Sequence, residues 1–128
     1  MNYSIKKQVN YSFADAIEKV KALLSEEGFG VLTEIDVKAT LKKKLNTDWD
    51  NYVILGACNP PLAHRALTAE PSIGLLLPCN VVVRQDTAGQ VHVEFMDPDA
   101  VLQLVDKPDI AELAAEVKQR LERVMQAL

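Results

Sequence analysis

Several kinds of residue are scarce in this sequence, and each scarcity excludes something. Two cysteines, Cys58 and Cys79, could close at most one disulfide, so the chain is no disulfide-stapled scaffold. Basic residues are not in excess. Lys and Arg number 14 against 18 Asp and Glu, a net charge of −4, which argues against nucleic acid as a partner because phosphate binding needs a basic face. No apolar run approaches the ~20 residues a membrane helix requires. The longest, Ile73 to Leu77, stops at Pro78. The first residues, Met1 to Lys7, alternate polar and apolar, unlike the unbroken apolar core of a signal peptide. There is no phosphate loop, dinucleotide fingerprint or Gly-x-Ser-x-Gly elbow, and no internal repeat. The expectation is a cytoplasmic protein with reduced thiols, no cofactor, and no membrane or nucleic-acid partner.

What is present suits one ordinary domain spanning residues 1–128. A chain of 128 residues with 48% hydrophobic and 25% charged residues has a globular composition. At that length it buries roughly two-thirds of the surface its unfolded chain would expose. Tyr3, Ile5, Lys7 and Val9 alternate with polar neighbours and read as a half-exposed strand. Ser12, with Asp15 three residues on, caps a helix whose stripe is Phe13, Ala16, Ile17, Val20, Leu23 and Leu24. Gly28 ends it. Phe29, Val31, Thr33 and Ile35 suggest a second strand, after which Asp36 caps a short helix with Val37, Leu41 and Leu45 on its apolar side. Lys42, Lys43 and Lys44 form its solvated face.

A third strand, Tyr52 to Leu55, leads through Gly56-Ala57-Cys58 to Asn59-Pro60-Pro61, a helix start with a good cap and proline in the first turn. Cys79 to Arg84 is a fourth strand. The turn Asp86 to Gly89 leads into a fifth, Val91 to Met96. Asp97-Pro98 opens a short helical segment, and a long helix from Pro108 carries Ile110, Leu113, Ala114, Val117, Leu121, Val124 and Leu128 on one stripe. The expected architecture is α+β, a mainly antiparallel five-stranded sheet with helices on one face. Val53-Ile54-Leu55 and Val81-Val82-Val83 are apolar on both faces, which belongs in the middle of a covered sheet. Either the short helices or a second copy of the chain must then cover the remaining face.

The chemistry-bearing feature is a repeated Cys-Asn pair beside proline at strand ends, Cys58-Asn59-Pro60 and Pro78-Cys79-Asn80. If the third and fourth strands run antiparallel, the two pairs meet at one end of the sheet. Cys58 also precedes a helix N-terminus, where the dipole lowers a thiol pKa and favours anions. Candidate ligand-binding residues are therefore Cys58, Asn59, Cys79 and Asn80, with amides of Leu62 and Ala63 at the helix end. Packed cysteines and an ordinary Asn59 cap compete with this reading. Glu34 and Asp36 share one strand face as a carboxylate pair, although Asp36 also serves as a cap. Cys58, His64, Cys79 and His92 have zinc-ligand chemistry, but their spacing matches no common finger, so no metal site is assigned.

Gly56-Ala57-Cys58-Asn59-Pro60 and Leu75-Leu76-Leu77-Pro78-Cys79-Asn80-Val81-Val82-Val83 resemble the signature of the bacterial domain-of-unknown-function family 302. Ala66-Leu67, Glu70-Pro71, Ile73-Gly74, Glu34-Ile35-Asp36 and Asp97-Pro98 fit the same pattern. The resemblance implies a small fold like that of the TATA-box-binding protein (strand, helix, four strands, helix), often dimeric, and implies no activity. Fold likeness alone carries no DNA binding. The function expected from these residues is a homodimeric binding module with a small-ligand or anion pocket at the Cys58/Cys79 end. The alternatives are a thiol enzyme or redox sensor using Cys58, and a purely structural assembly protein.

Overall fold

The computed structural model describes residues 2–128. Its elements run β1 (Ser4–Val9), α1 (Phe13–Glu26), β2 (Gly30–Asp36), α2 (Val37–Leu45), β3 (Tyr52–Cys58), α3 (Pro60–Ala69), a 3₁₀ turn (Pro71–Leu76), β4 (Cys79–Gln85), β5 (Val91–Met96), α4 (Pro98–Leu102) and α5 (Pro108–Ala127). The five strands form one antiparallel sheet in the order β1-β5-β4-β3-β2. The fold is therefore α+β, with β4 central and the doubly apolar strands β3 and β4 adjacent, as their composition requires.

Register decides which face is buried. Leu55 pairs with Val81, Val81 with Phe95, and Phe95 with Ile5. Residues opposite one another in neighbouring strands point to the same side, so these four lie on one face. Leu55, Val81, Val83, Val93 and Phe95 are fully buried there under Val20 and Leu24 of α1 and Ile110, Leu121 and Val124 of α5. The opposite face carries Lys6, His92, Glu94, Met96, Val82, Arg84, Tyr52, Ile54 and Ile35, none of which is fully buried.

Local signals explain the helix boundaries. The Ser12 hydroxyl accepts the Asp15 amide at 3.1 Å and Asp36 accepts that of Ala39 at 2.9 Å. Helix α1 ends in a Schellman arrangement. The Phe29 amide donates to the Leu24 carbonyl at 2.9 Å and the Gly28 amide to that of Ser25 at 3.0 Å, with Gly28 at φ +85°, a conformation glycine adopts cheaply. That turn drops Phe29 into the core.

Two elements differ from the sequence reading. Strand β3 continues beyond Leu55 through Gly56 and Ala57 and ends at Cys58, so Gly56 and Ala57 are part of the sheet and Cys58 stands at its end, as expected. In β2 the register shifts between Val31 and Thr33, which pair with Ala57 and Gly56. Leu32 is the extra residue of a bulge and stands 69% exposed. The bulge sends Thr33 and Ile35 to the face opposite Val31, which simple alternation would have placed with them.

Candidate functional site

The end of the sheet where β3 finishes and β4 begins holds a strongly apolar cavity, about 360 Å³ in volume. Ala57 pairs with Cys79 across β3 and β4, and Cys58 is the next residue, so both cysteines sit at the same sheet end on adjacent strands, whose spacing is roughly 5 Å. By strand alternation their side chains leave opposite faces. Both nevertheless line the cavity, which wraps round the strand ends. Neither is in a disulfide: Cys58 is half-buried and Cys79 buried. Burial, and after it the neighbouring Cys58 thiol, pushes the Cys79 thiol up to about 11.

The floor is hydrocarbon. Phe29 comes from the α1–β2 turn, Leu62 and Ala66 from α3, Leu113 and Val117 from α5, and Leu102 from α4; all are buried. Exposed Leu32, Thr33, Leu67 and Gly74 form the rim. Helix α3 presents its floor residues at an i, i+4 spacing, which places them on one side of the helix. Gly56 lets the wall close. A Cβ there would meet Thr33 Oγ1 at 2.2 Å and Pro78 Cγ at 2.9 Å, so the absent side chain is what allows Thr33 and Pro78 to approach the strand.

Asn59 is the buried polar residue of this region, 6% exposed. Its side-chain oxygen accepts the Leu62 amide at 3.3 Å and its Nδ2 donates to the Glu27 carbonyl at 3.4 Å. The Ala63 amide is taken by the Asn59 carbonyl at 2.8 Å. Both amides expected to cradle an anion are thus already satisfied within the helix cap. The Glu27 carbonyl also accepts from Arg120 at 2.9 Å, so one carbonyl ties the end of α1 to the start of α3 and to α5. Gly28 is part of this junction, since a Cβ on it would stand 2.9 Å from Asn59 Nδ2. Gly28→Ala is expected to cost more than the about 1–2 kcal/mol that the positive φ alone demands, because the new Cβ also meets the Asn59 amide. In an Asn59→Ala background the loss should be smaller, which a double-mutant cycle in urea measures.

The candidate residues therefore divide. Cys58, Asn59 and Cys79 come together at the cavity. Asn80 does not: it pairs with Gly56 and projects from the open face, beside Tyr3, Tyr52 and Glu94, because one step along a strand reverses the side. Glu34 does not line the cavity either. Its carboxylate is bound by Lys21 of α1 at 2.9 Å, and its strand neighbour Asp36 is the cap of α2. Of the two histidines, His64 is exposed on α3, while His92 lies on the open face, 2.8 Å from Asp86. The four cysteine and histidine side chains are not gathered. Leu32, Thr33, Leu102, Leu113 and Val117 were missed as cavity residues. Their helical spacing marked the last three as core, and nothing local signalled the bulge.

Comparison with known proteins gives the family. A model of the domain of unknown function DUF302 matches residues 5–128. The chain belongs to this family. Among solved structures, the crystal structure of an uncharacterised conserved DUF302 protein from Bacillus stearothermophilus is similar, with 30% identity, 98% of each chain covered and a TM-score of 0.91. A comparison with curated proteins finds no match. This DUF302 chain thus shares its whole fold with that relative. Among the described residues, no helix is long and apolar enough to cross a membrane.

Proposed function

We propose that this protein is a small homodimeric binding module whose ligand occupies the cavity at the Cys58/Cys79 end of the sheet. The observation that carries the reading is the combination of a cavity within the usual 300–1,000 Å³ range of ligand sites with an Asn59 cap that uses the nearby helix amides internally. The sequence alone left a small molecule and an anion open. With the Leu62 and Ala63 amides satisfied, the small molecule is favoured and its contacts are apolar. Binding is checked by thermal melting in the presence of small apolar compounds, where a saturable rise in Tm is expected through linkage. An unchanged Tm across a broad set of such compounds would refute the reading.

Thiol chemistry, the rival reading, would rest on Cys58. Cys79 is buried and its thiol is held protonated at neutral pH, whereas Cys58 is partly exposed at the cavity. The two readings part on turnover, since a binding module protects Cys58 from alkylation without consuming its ligand.

The homodimer is supported by the open face of the sheet. Ile35, Ile54, Val82 and Met96 share that face with the ion pair of Arg84 and Glu94, 3.2 Å apart. A face carrying apolar side chains and charges of both signs suits self-association about a twofold axis. Light scattering should give the mass of two chains for the wild type and of one chain for Val82→Glu. A one-chain mass for the wild type across a wide concentration range would refute the dimer.

A further inference from the structure

We infer that the cavity takes a single, unbranched hydrocarbon chain lying along the end of the sheet, with its polar end left outside the rim. The inference rests on the reading of the cavity as a ligand site and names the class of ligand.

Three observations carry it. The first is the chemistry of the floor, where Phe29, Leu62, Ala66, Leu102 and Leu113 present only carbon. The second is the state of the polar atoms nearby. The Asn59 amide is committed on both sides, to Leu62 and Glu27, and no buried side-chain nitrogen or oxygen among the described residues lacks a partner. A ligand hydroxyl, amide or charge pushed to the floor would lose its water and find no replacement, which is strongly unfavourable. The buried part of the ligand is therefore apolar throughout.

The third observation is shape. The lining runs from Leu32 of β2, past Cys58 at the end of β3, to Pro78 and Cys79 at the start of β4. In the strand order β2-β3-β4 that is two strand spacings, roughly 10 Å. A cavity that crosses three strand ends without a polar fixing point suits an extended chain better than a compact ring. The exposed rim at Thr33 leaves the polar end in water, where its chemistry is not read.

The test uses the full chain with decanoate, decyl maltoside, their shorter homologues, and indole. Decanoate and decyl maltoside are both expected to raise Tm saturably, with affinity rising roughly fourfold per methylene. Saturating decanoate should also slow iodoacetamide modification of Cys58 at least tenfold in the wild type. Ala66→Leu, which fills the floor, should weaken decanoate at least tenfold. The Cys58 protection needs no variant and decides the matter should Ala66→Leu fail to fold. Binding of indole without either decyl compound would overturn the chain while leaving the cavity as a ligand site. If neither indole nor the decyl compounds bind, both readings fall together. Binding of decanoate but not decyl maltoside would mean that an anion is recognised, and would overturn the inference. Decanoate binding that leaves Cys58 unprotected would place the ligand elsewhere and overturn it too. So would a two-chain mass that Ala66→Leu reduces to one, since a second copy would then fill the cavity.

Discussion

Replacing Asn59 by Ala should lower the unfolding free energy by about 1.5–3 kcal/mol, adding a lost helix cap of about 0.5–2 kcal/mol to a lost buried hydrogen bond of about 1 kcal/mol. The side chain does two things at once. It accepts the Leu62 amide that opens α3 and donates to the Glu27 carbonyl that closes α1. An exposed cap would show only the first loss. Asn59→Asp separates the two, because a carboxylate caps as well as an amide but cannot donate to Glu27. It should recover roughly half of the deficit. Urea denaturation of the wild type and both variants measures this. A loss below about 0.5 kcal/mol for Asn59→Ala, the low end for caps in general, would mean that the Asn59–Glu27 link contributes nothing.

That junction also shows what could be read without coordinates. Asn59 before Pro60-Pro61 was legible as a helix start because capping is a local matter of which side chain reaches which amide within three residues. Ser12, Asp36, Asp97 and Gly28 were legible for the same reason. The strands were legible through alternation, and the central place of β3 and β4 through their two apolar faces. The bond from Asn59 to Glu27 spans 32 positions and leaves no mark on the pattern of either segment. The same holds for Lys21 reaching Glu34, which takes that carboxylate out of any site.

The errors around the candidate site come from one cause. A strand alternates sides with every residue, so the Cys79-Asn80 pair inside β4 cannot present both side chains to one pocket, whereas Asn59 lies beyond the end of β3 and escapes the alternation. The motif repeated in sequence, and the repetition suggested a shared polar cradle. In space Cys79 lies buried with the core while Asn80 turns to the open face. The apolar cavity was invisible for a different reason. Leu102, Leu113 and Val117 fit the core pattern of their helices, and a core position and a cavity wall have the same sequence signature. Only the arrangement of α3, α4 and α5 over the strand ends leaves space between them. The bulge at Leu32 adds the rim, and a single extra residue in a strand gives no periodic signal.

Stability should fall steeply in alkali because of Cys79. The unfolded thiol titrates near 9.0, while the folded one, desolvated by burial and influenced by the nearby Cys58 thiol, titrates at about 11. Below pH 9 the group is protonated in both states and favours neither. Between 9 and 11 the unfolded chain releases the proton and the folded chain keeps it, so the unfolded state gains and stability declines as pH rises. Above 11 both are ionised and the slope vanishes. A separation of two pH units corresponds to roughly 2–3 kcal/mol. Lysines and tyrosines titrate in the same range, so the comparison is with Cys79→Ala, which retains all of them and replaces a buried apolar-like side chain by a smaller one. The variant begins less stable, but its curve from pH 8.5 to 11.5 should be flatter than that of the wild type by the amount above. Cys58→Ala should leave most of the slope in place, since desolvation, the larger cause, is unaffected. Parallel curves for the wild type and Cys79→Ala would mean that the Cys79 thiol ionises as readily in the folded chain as in the unfolded one, and that water reaches the floor of the cavity.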